Sequence, residues 1–454
     1  MLAHGTSSAY AGRMTTAAAP PVSAGSVHES LSRHLLVDGF DMVLDLTASR
    51  GSTLVDARDG TRYLDLFTFF ASSALGMNHP ALADDPLFRE ELLEAALNKP
   101  SNSDVYSVPM ARFVETFARV LGDPALPHLF FIEGGGLAVE NALKVAFDWK
   151  SRRNEREGRD PALGTKVLHL QHAFHGRTGY TMSLTNTDPN KVARFPKLAW
   201  PRIPAPYLSE GRDVEAAERA ALAAARAAFE QFPHDIACFV MEPVQGEGGD
   251  HHFRPQFLQA MQALCHEHDA LFVLDEVQTG CGLTGTAWAY QQLGVQPDVV
   301  AFGKKTQVCG IMAGGRVDEE PDNVFAVGSR INSTWGGSLT DMVRARRILE
   351  VIESERLVER AQALEPVLLG LLRDLTVKHD AVTDVRGRGL MCAFTLPDAA
   401  VRDAVLERLR VDEHVLLLGC GTRSVRFRPA LTVSEDELAA GVAALDRVLT
   451  RTAG

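Results

Sequence analysis

Short apolar segments alternate with helical segments through the middle of the chain, and this alternation restricts the fold more than any other feature. The apolar segments are rich in Val, Phe, Ile and Leu, which is typical of buried strands. They span residues 128–133, 166–171, 236–244, 270–277 and 299–303. Residues 139–153 and 214–232 are predicted helices between them. Strands that alternate with helices indicate an α/β fold, in which helices flank a mostly parallel central sheet.

The C-terminal part has a different pattern. A long predicted helix begins near residue 341, with a break expected at Pro366, and strands are predicted at 385–396 and 424–433. Ser434 and Glu437 have the spacing of a capping box that opens a final helix. This part therefore has the pattern of a smaller α+β domain, which short strands within 42–75 could join.

The length of the chain also indicates more than one domain, because 454 residues exceed what one hydrophobic core usually supports. The expected division is a flexible N-terminal arm (1–26), an N-terminal segment that packs with the small domain (27–80), a large domain (81–340) and the C-terminal small domain (341–454).

Charge and cysteine usage exclude several classes of protein. The formal net charge of −12 is opposite to that of a protein that grips phosphate backbones, so no nucleic-acid partner is expected. The six cysteines are scattered without a CxxC pair, which argues against a zinc module and against a disulfide framework. This pattern favours a reducing, cytoplasmic compartment. Cys265, His266 and His268 come nearest to a ligand cluster, but a polar helix end is the simpler interpretation, and no metal is predicted. No apolar run has the pattern of a signal peptide or a membrane span.

The segment EGGGLAVENALK (133–144) joins a predicted strand to a predicted helix. Consecutive glycines let backbone N–H groups approach an anion closely, and a helix N-terminus adds a partial positive charge. The segment is neither a Walker loop, which needs Gly-Lys-Ser/Thr, nor a GxGxxG motif. On its own it indicates either a phosphate site or a glycine turn that allows close packing of strand and helix.

Two charged residues lie at the ends of other predicted strands. An ionised Asp275 at the end of an apolar strand needs a cationic partner, which is either a structural Arg or Lys or the protonated nitrogen of a heterocycle. Lys304 directly follows the strand at 299–303, and burial there lowers a lysine pKa, which suits Schiff-base chemistry. Taken alone, Lys304 is explained equally well as a structural residue. Lys305 is expected to point the opposite way, into solvent.

A phosphate site, a buried carboxylate and a buried lysine are together what pyridoxal phosphate requires, because this cofactor has a phosphate, a pyridine nitrogen and an aldehyde. The chain resembles the class III aminotransferases in LDEVQTGCG (274–282), which is followed by a Gly-Lys pair whose lysine lies 29 residues after Asp275. In that family the spacing assigns the cofactor to Lys304 instead of Lys305. The resemblance implies a pyridoxal-phosphate-dependent transferase of fold type I.

The resemblance also implies roles for individual residues. Lys304 would carry the cofactor and move the proton, Asp275 would hold the pyridine nitrogen, and Gln278 would contact the ring 3-oxygen. The other implied cofactor contacts are Gly135 and Gly136 at the phosphate, Phe174 on the ring, and Thr334, whose hydroxyl reaches the phosphate of a neighbouring subunit. That sharing implies a homodimer. The glycine loop departs from the family pattern because it lacks a Ser or Thr hydroxyl, so backbone N–H groups and Thr334 must hold more of the phosphate.

Within that family the chain is most similar to the L-lysine 6-aminotransferases, which carry stretches like those at 35–52, 67–82, 97–107 and 302–310. The similarity implies transfer of the ε-amino group of L-lysine to 2-oxoglutarate, giving L-glutamate and 2-aminoadipate 6-semialdehyde, which cyclises. Such a reaction could serve lysine catabolism, the supply of a β-lactam antibiotic precursor or a stress response, and the sequence does not distinguish among them. An ornithine or GABA ω-aminotransferase is the close alternative, because donor length is set by packing that the sequence does not reveal. A nucleotide-binding oxidoreductase is a distant alternative that leaves Lys304 unexplained.

Lysine and 2-oxoglutarate make different demands on one pocket. Lysine enters with its carboxylate far from the cofactor, whereas glutamate has one carboxylate near and one far. Two arginines are therefore needed, and the near one must be masked when lysine binds. The substrate contacts implied by the resemblance are Arg426 as the near arginine, Glu247 as its mask, Arg177 for the distant carboxylate, and Gln278 and Asn332. Arg428 would share a strand face with Arg426, so only the family pattern favours Arg426.

Overall fold

The computed structural model describes residues 22–98, 100 and 102–453, so residues 1–21 of the predicted N-terminal arm lie outside the described residues. The strands are β1 (Thr53–Val55), β2 (Arg62–Asp65), β3 (His128–Ile132), β4 (Lys166–Leu170), β5 (Arg202–Ile203), β6 (Ile236–Met241), β7 (Val244–Gln245), β8 (His251–His252), β9 (Leu271–Asp275), β10 (Val299–Phe302), β11 (Cys309–Ala313), β12 (Thr383–Arg388), β13 (Met391–Thr395), β14 (Val415–Leu416), β15 (Leu418–Cys420) and β16 (Ser424–Phe427).

The helices cover the faces of the sheets. They are α1 (Val27–Ser32), α2 (Thr68–Ala71), α3 (Pro80–Ala83), α4 (Pro86–Leu97), α5 (Val108–Val120), α6 (Gly135–Arg156), α7 (Thr181–Leu184), α8 (Pro189–Val192), α9 (Val214–Gln231), α10 (Pro255–Glu267), α11 (Leu339–Ser354), α12 (Leu357–Lys378), α13 (Ala399–Asp412) and α14 (Glu435–Ala453). The short element α2 differs from the others, because all four of its residues have positive φ.

Seven strands form the central sheet in the order β3-β11-β10-β9-β6-β4-β5. Neighbouring strands are parallel except at β11, which is antiparallel to both β10 and β3. The apolar segments predicted as strands form β3, β4, β6, β9 and β10, and the predicted α/β fold with a mostly parallel sheet is confirmed.

The central sheet is buried on both faces, which explains why its strands read as continuous apolar runs. In β9, Leu271 and Val273 pack in a core that α6 shares, whereas Phe272 and Leu274 belong to the larger core on the other face. Side chains thus alternate between two cores, and polar groups are left to the strand ends.

Two smaller sheets contain the C-terminal strands. An antiparallel sheet has the order β12-β13-β16-β15, and a second sheet has the order β1-β2-β14. In the second sheet β2 pairs antiparallel with β1 and parallel with β14, so strands from residues 42–75 share a sheet with the C-terminal part.

The C-terminal helices differ in one respect from the prediction. The break expected at Pro366 is wrong, because α11 ends at Ser354 and Pro366 lies inside α12. The chain turns at Arg356, which has a left-handed backbone with φ of 51°. The capping box is confirmed: Ser434 Oγ accepts from the Glu437 N–H at 3.1 Å, and Glu437 Oε2 accepts from the Ser434 N–H at 2.8 Å.

Within the described ranges, no helix has both the length and the apolar character needed to cross a bilayer. The same residues contain no group of three or more His, Cys, Asp or Glu side chains arranged to hold a metal ion.

Candidate active site

A cavity of about 320 Å³ lies where the carboxyl ends of the parallel strands meet. This edge of an α/β sheet is where ligands usually bind, since the loops that follow the strands converge there. Several predicted site residues line the cavity: Gly135, Gly136, Phe174, Asp275, Gln278 and Lys304. His175 and Glu242, to which the sequence analysis gave no role, line it as well.

The glycine segment forms one end of the cavity. Helix α6 begins at Gly135, and Gly134 before it has φ of 97° and no side chain to cap the helix. A Cβ atom on Gly135 would lie 2.9 Å from Val277 Cγ1, and one on Gly136 would lie 3.3 Å from Thr178 Cγ2. Side chains would therefore obstruct the approach to the helix N-terminus, where backbone N–H groups attract an anion.

Asp275 is held in place by two hydrogen bonds. Its Oδ1 accepts from the Val277 N–H at 3.1 Å, and its Oδ2 accepts from His175 Nδ1 at 2.8 Å. Burial alone would lower the pKa of His175, but the hydrogen bond and charge of Asp275 outweigh burial and raise it. His175 thus fixes the orientation of the Asp275 carboxyl group. His175 could have been identified from the sequence by its position next to Phe174 in the segment HAFHGR (172–177).

Lys304 lies between this cavity and a wider opening of about 1080 Å³ that Ser72, Gln307 and Arg344 also line. Burial, followed by the charges of Arg426 and Arg428, lowers the pKa of Lys304 to about 8. Because a large fraction of its amine is neutral near that pH, Lys304 can act as a nucleophile and as a base.

Glu242 supports the loop that carries Phe174. Its Oε1 accepts from the Phe174 N–H at 2.9 Å, and its Oε2 accepts from the Gly246 N–H at 3.1 Å. Burial raises the pKa of Glu242 to about 7, with opposing effects from His175, which lowers it, and Asp275, which raises it. Its position directly after β6 is the only sequence signal that could have identified it.

The prediction that Lys305 reaches solvent is wrong. Lys305 is 2% exposed, and its ammonium donates to the carbonyls of Ala71 and Gln278 at 3.1 Å each. Strand alternation does not apply to it, because residues 304–306 form a 3-10 turn in which Lys304 has φ of 55°.

Arg426 and Arg428 are both buried but differ in their partners. Arg428 donates to both oxygens of Asp250, to Gln278 Oε1 at 2.9 Å and to the Phe427 carbonyl, so its donors are largely used. Arg426 donates to Glu247 Oε2 at 3.1 Å, while its Nε and Nη1 have no partner among the described residues. Arg426 therefore has two nitrogens available for a second carboxylate, whereas every nitrogen of Arg428 already has a partner.

Five predicted site residues do not line this cavity within the chain. Glu247 and Arg426 lie outside its lining, although the charge of Arg426 reaches Lys304. Arg177, Asn332 and Thr334 are exposed, and none of them lines the cavity. Arg177 directly follows Gly176, which does line it.

These groups fit pyridoxal phosphate. Gly135 and Gly136 would hold the phosphate, Asp275 would hold the pyridine nitrogen, and Lys304 would bind the aldehyde carbon. Phe174 offers an aromatic face in the same cavity.

Comparisons with known proteins agree with this geometry. The family described as Aminotransferase class-III matches residues 37–449. An L-lysine-epsilon aminotransferase from Mycobacterium tuberculosis is 67% identical over 433 residues, which are 94% of this chain and 96% of that protein. One from Streptomyces clavuligerus is 59% identical over 437 residues, with 95% of each chain covered.

A solved structure supports the same conclusion. The lysine aminotransferase from M. tuberculosis in the internal aldimine form has a TM-score of 0.94 and 67% identity, covering 95% of this chain and all of that one. The chain belongs to the class-III aminotransferases, the pyridoxal-phosphate-dependent transaminases that its motifs resemble.

Proposed function

We propose that this chain transfers the ε-amino group of L-lysine to 2-oxoglutarate, forming 2-aminoadipate 6-semialdehyde and L-glutamate. The observation that carries the proposal is Arg426, a buried guanidinium that Glu247 pairs at one nitrogen only. The L-lysine-epsilon aminotransferases at 59–67% identity support lysine as the donor.

The pairing of Arg426 with Glu247 suits a pocket that must accept two different substrates. With Glu247 in place, the charge of Arg426 is neutralised, and the apolar stem of lysine can pass it without facing an unpaired cation. When 2-oxoglutarate binds, its near carboxylate replaces Glu247 and accepts hydrogen bonds from Arg426. A guanidinium and a carboxylate can form two parallel hydrogen bonds of this kind. Arg177 would bind the distant carboxylate of either substrate, and Gln278 and Asn332 would contribute further substrate contacts.

The chain's own groups supply the proton transfer. Bound pyridoxal phosphate withdraws electrons and so acidifies the C–H bond beside the amino group of the substrate. Lys304 Nζ, with its pKa lowered to about 8, would take up that proton and later give it up again. Asp275, oriented by His175, would keep the pyridine nitrogen protonated, and Phe174 would offer its aromatic face to the ring.

We further propose a homodimer in the cytoplasm. Thr334 and Asn332 are exposed on this chain, which suits residues that complete the site of a neighbouring subunit. Since the glycine loop lacks a hydroxyl, Thr334 of each chain would complete the phosphate site of the other. The six cysteines are all free, as expected in a reducing compartment.

A panel of amino donors with 2-oxoglutarate tests the proposal. The aldehyde product is trapped with 2-aminobenzaldehyde, which distinguishes the six-membered cyclic imine from lysine and the five-membered one from ornithine. We expect lysine to have the highest kcat/KM. A preference for ornithine or GABA would overturn the assignment of the donor while leaving the family unaffected.

A further inference from the structure

Lys191 has no role in the proposed function, yet it contacts the carboxylate on which the exchange of substrates depends. It lies in the short helix α8, which begins at a cap where Asp188 Oδ1 accepts from the Asn190 N–H at 2.9 Å. The Lys191 ammonium donates a hydrogen bond to Glu247 Oε1, whereas Glu247 Oε2 accepts from Arg426. Two cations therefore hold the two oxygens of one carboxylate.

Lys191 also lies next to the cavity. Its Nζ is 5.7 Å from the centre of the Phe174 ring, which is within cation–π range, and Phe174 lines the cavity. Burial would raise the pKa of Glu247, but the charges of Arg426 and Lys191 outweigh burial and lower it. Glu247 is thus an anion that both cations stabilise.

The two cations differ in their freedom to follow Glu247. Arg426 is 3% exposed and lies in β16, which is paired on both sides with β13 and β15. The Lys191 side chain is 23% exposed on a four-residue helix, and a lysine has a flexible four-carbon stem. When Glu247 leaves Arg426, its contact with Lys191 is the one that can persist.

That persistence matters because the incoming group is itself an anion. A dicarboxylate that takes Arg426 displaces Glu247, and a partly buried carboxylate without a cation is unfavourable. A cation that stays with Glu247 lowers the free energy of the open arrangement relative to the closed one. The same cation is less important for lysine, because lysine binds while Glu247 stays on Arg426.

We propose that Lys191 is a positioning residue for the amino acceptor: it retains Glu247 while a dicarboxylate occupies Arg426. The inference rests on the proposed function of Arg426 and Glu247. It adds a third member to that pair and makes acceptor affinity depend on a charge that does not touch the acceptor.

The test uses the holoenzyme and three single variants. Lys191→Met removes the charge, Lys191→Arg keeps it, and Lys197→Met is the matched control, because Lys197 Nζ donates to the nearby Val192 carbonyl at 2.9 Å and not to Glu247. The dissociation constant of glutarate, an unreactive dicarboxylate, is measured by calorimetry. The lysine and 2-oxoglutarate half-reactions are followed separately by cofactor absorbance.

We expect Lys191→Met to weaken glutarate and raise the KM for 2-oxoglutarate by roughly three- to tenfold, as for a partly exposed ion pair. The lysine half-reaction and kcat should change less than about twofold, and Lys191→Arg should restore glutarate affinity. On a Glu247→Gln background, Lys191→Met should have no further effect.

Unchanged glutarate affinity in Lys191→Met would overturn the proposal. So would an equal loss on the Glu247→Gln background, since Lys191 would then attract the dicarboxylate directly. Failure of the proposed function looks different: the wild-type holoenzyme itself would prefer another donor to lysine or would not react with 2-oxoglutarate.

Discussion

Replacement of Arg426 by Met separates the two half-reactions most sharply. Nε and Nη1 of Arg426 have no partner among the described residues, and Nη2 is released when Glu247 leaves, so the near carboxylate of 2-oxoglutarate gains hydrogen bonds there that Met cannot make. Hydrogen bonds to charged groups contribute about 1.5–3 kcal/mol each, and a forked pair loses about 3–4 kcal/mol in total. At about 1.4 kcal/mol per tenfold, kcat/KM for 2-oxoglutarate should fall roughly 10²- to 10³-fold.

Lysine should be affected far less by the same substitution. Removal of one member of a buried ion pair usually destabilises a protein, because the other charge is left without a partner. Here Glu247 keeps Lys191, so the fold should survive and the lysine half-reaction should change by less than about threefold.

Single-turnover stopped-flow absorbance of the cofactor measures each half-reaction in isolation. Arg423→Met, an exposed arginine just before β16, is the control for a charge lost from the same segment. Equal losses in the two half-reactions, or a larger loss with lysine, would show that Arg426 does not serve the acceptor specifically.

Three further predictions follow from the site. Because the pKa of Lys304 is lowered to about 8, the neutral fraction of its amine should rise about tenfold from pH 7 to pH 9 and then level. The rate at which the apoprotein takes up pyridoxal phosphate should follow the same curve. A rise of about a hundredfold without levelling would indicate an unshifted lysine. Gly135→Ala brings a Cβ to 2.9 Å from Val277 Cγ1, so cofactor affinity measured by equilibrium dialysis should fall roughly fivefold or more. Lys305→Met leaves two buried carbonyls without their donor and should lower the free energy of unfolding in urea by about 1–3 kcal/mol. Burial lowers the pKa of Lys305 to about 7, so between pH 7 and pH 10.5 the unfolded chain binds more protons than the folded one. In that range Lys305 makes the wild type more stable as the pH rises, and the stability lost in Lys305→Met should therefore be larger at pH 9 than at pH 6.

The sheet was predictable because burial on both faces leaves a strong signal in the sequence. The strand β9, for example, is apolar at four successive positions that serve two cores, and it ends at the charged Asp275. Lys304 and Asp275 were candidates for the same reason, since each is a charged group at the end of such a strand, but only the spacing in the family favoured Lys304 over Lys305.

Other features depend on backbone conformation or on contacts between distant segments. Arg356 and Lys304 both have left-handed backbones. Glycine is the residue that usually indicates this conformation in a sequence, and neither position is a glycine. The turn at Arg356 places the helix break before Pro366, and the turn at Lys304 places Lys305 in the interior. The contact of Lys191 with Glu247 joins residues 56 positions apart in the chain, and no local pattern marks it.

The proposed function requires that the terminal amino group of lysine is the one transferred. It is tested most directly with L-lysine carrying ¹⁵N at either nitrogen, incubated with the holoenzyme and 2-oxoglutarate, and with mass spectrometry of the glutamate formed. We expect labelled glutamate from the ε-labelled donor and unlabelled glutamate from the α-labelled one. Label that arrives from the α-position would show that the α-amino group is transferred instead.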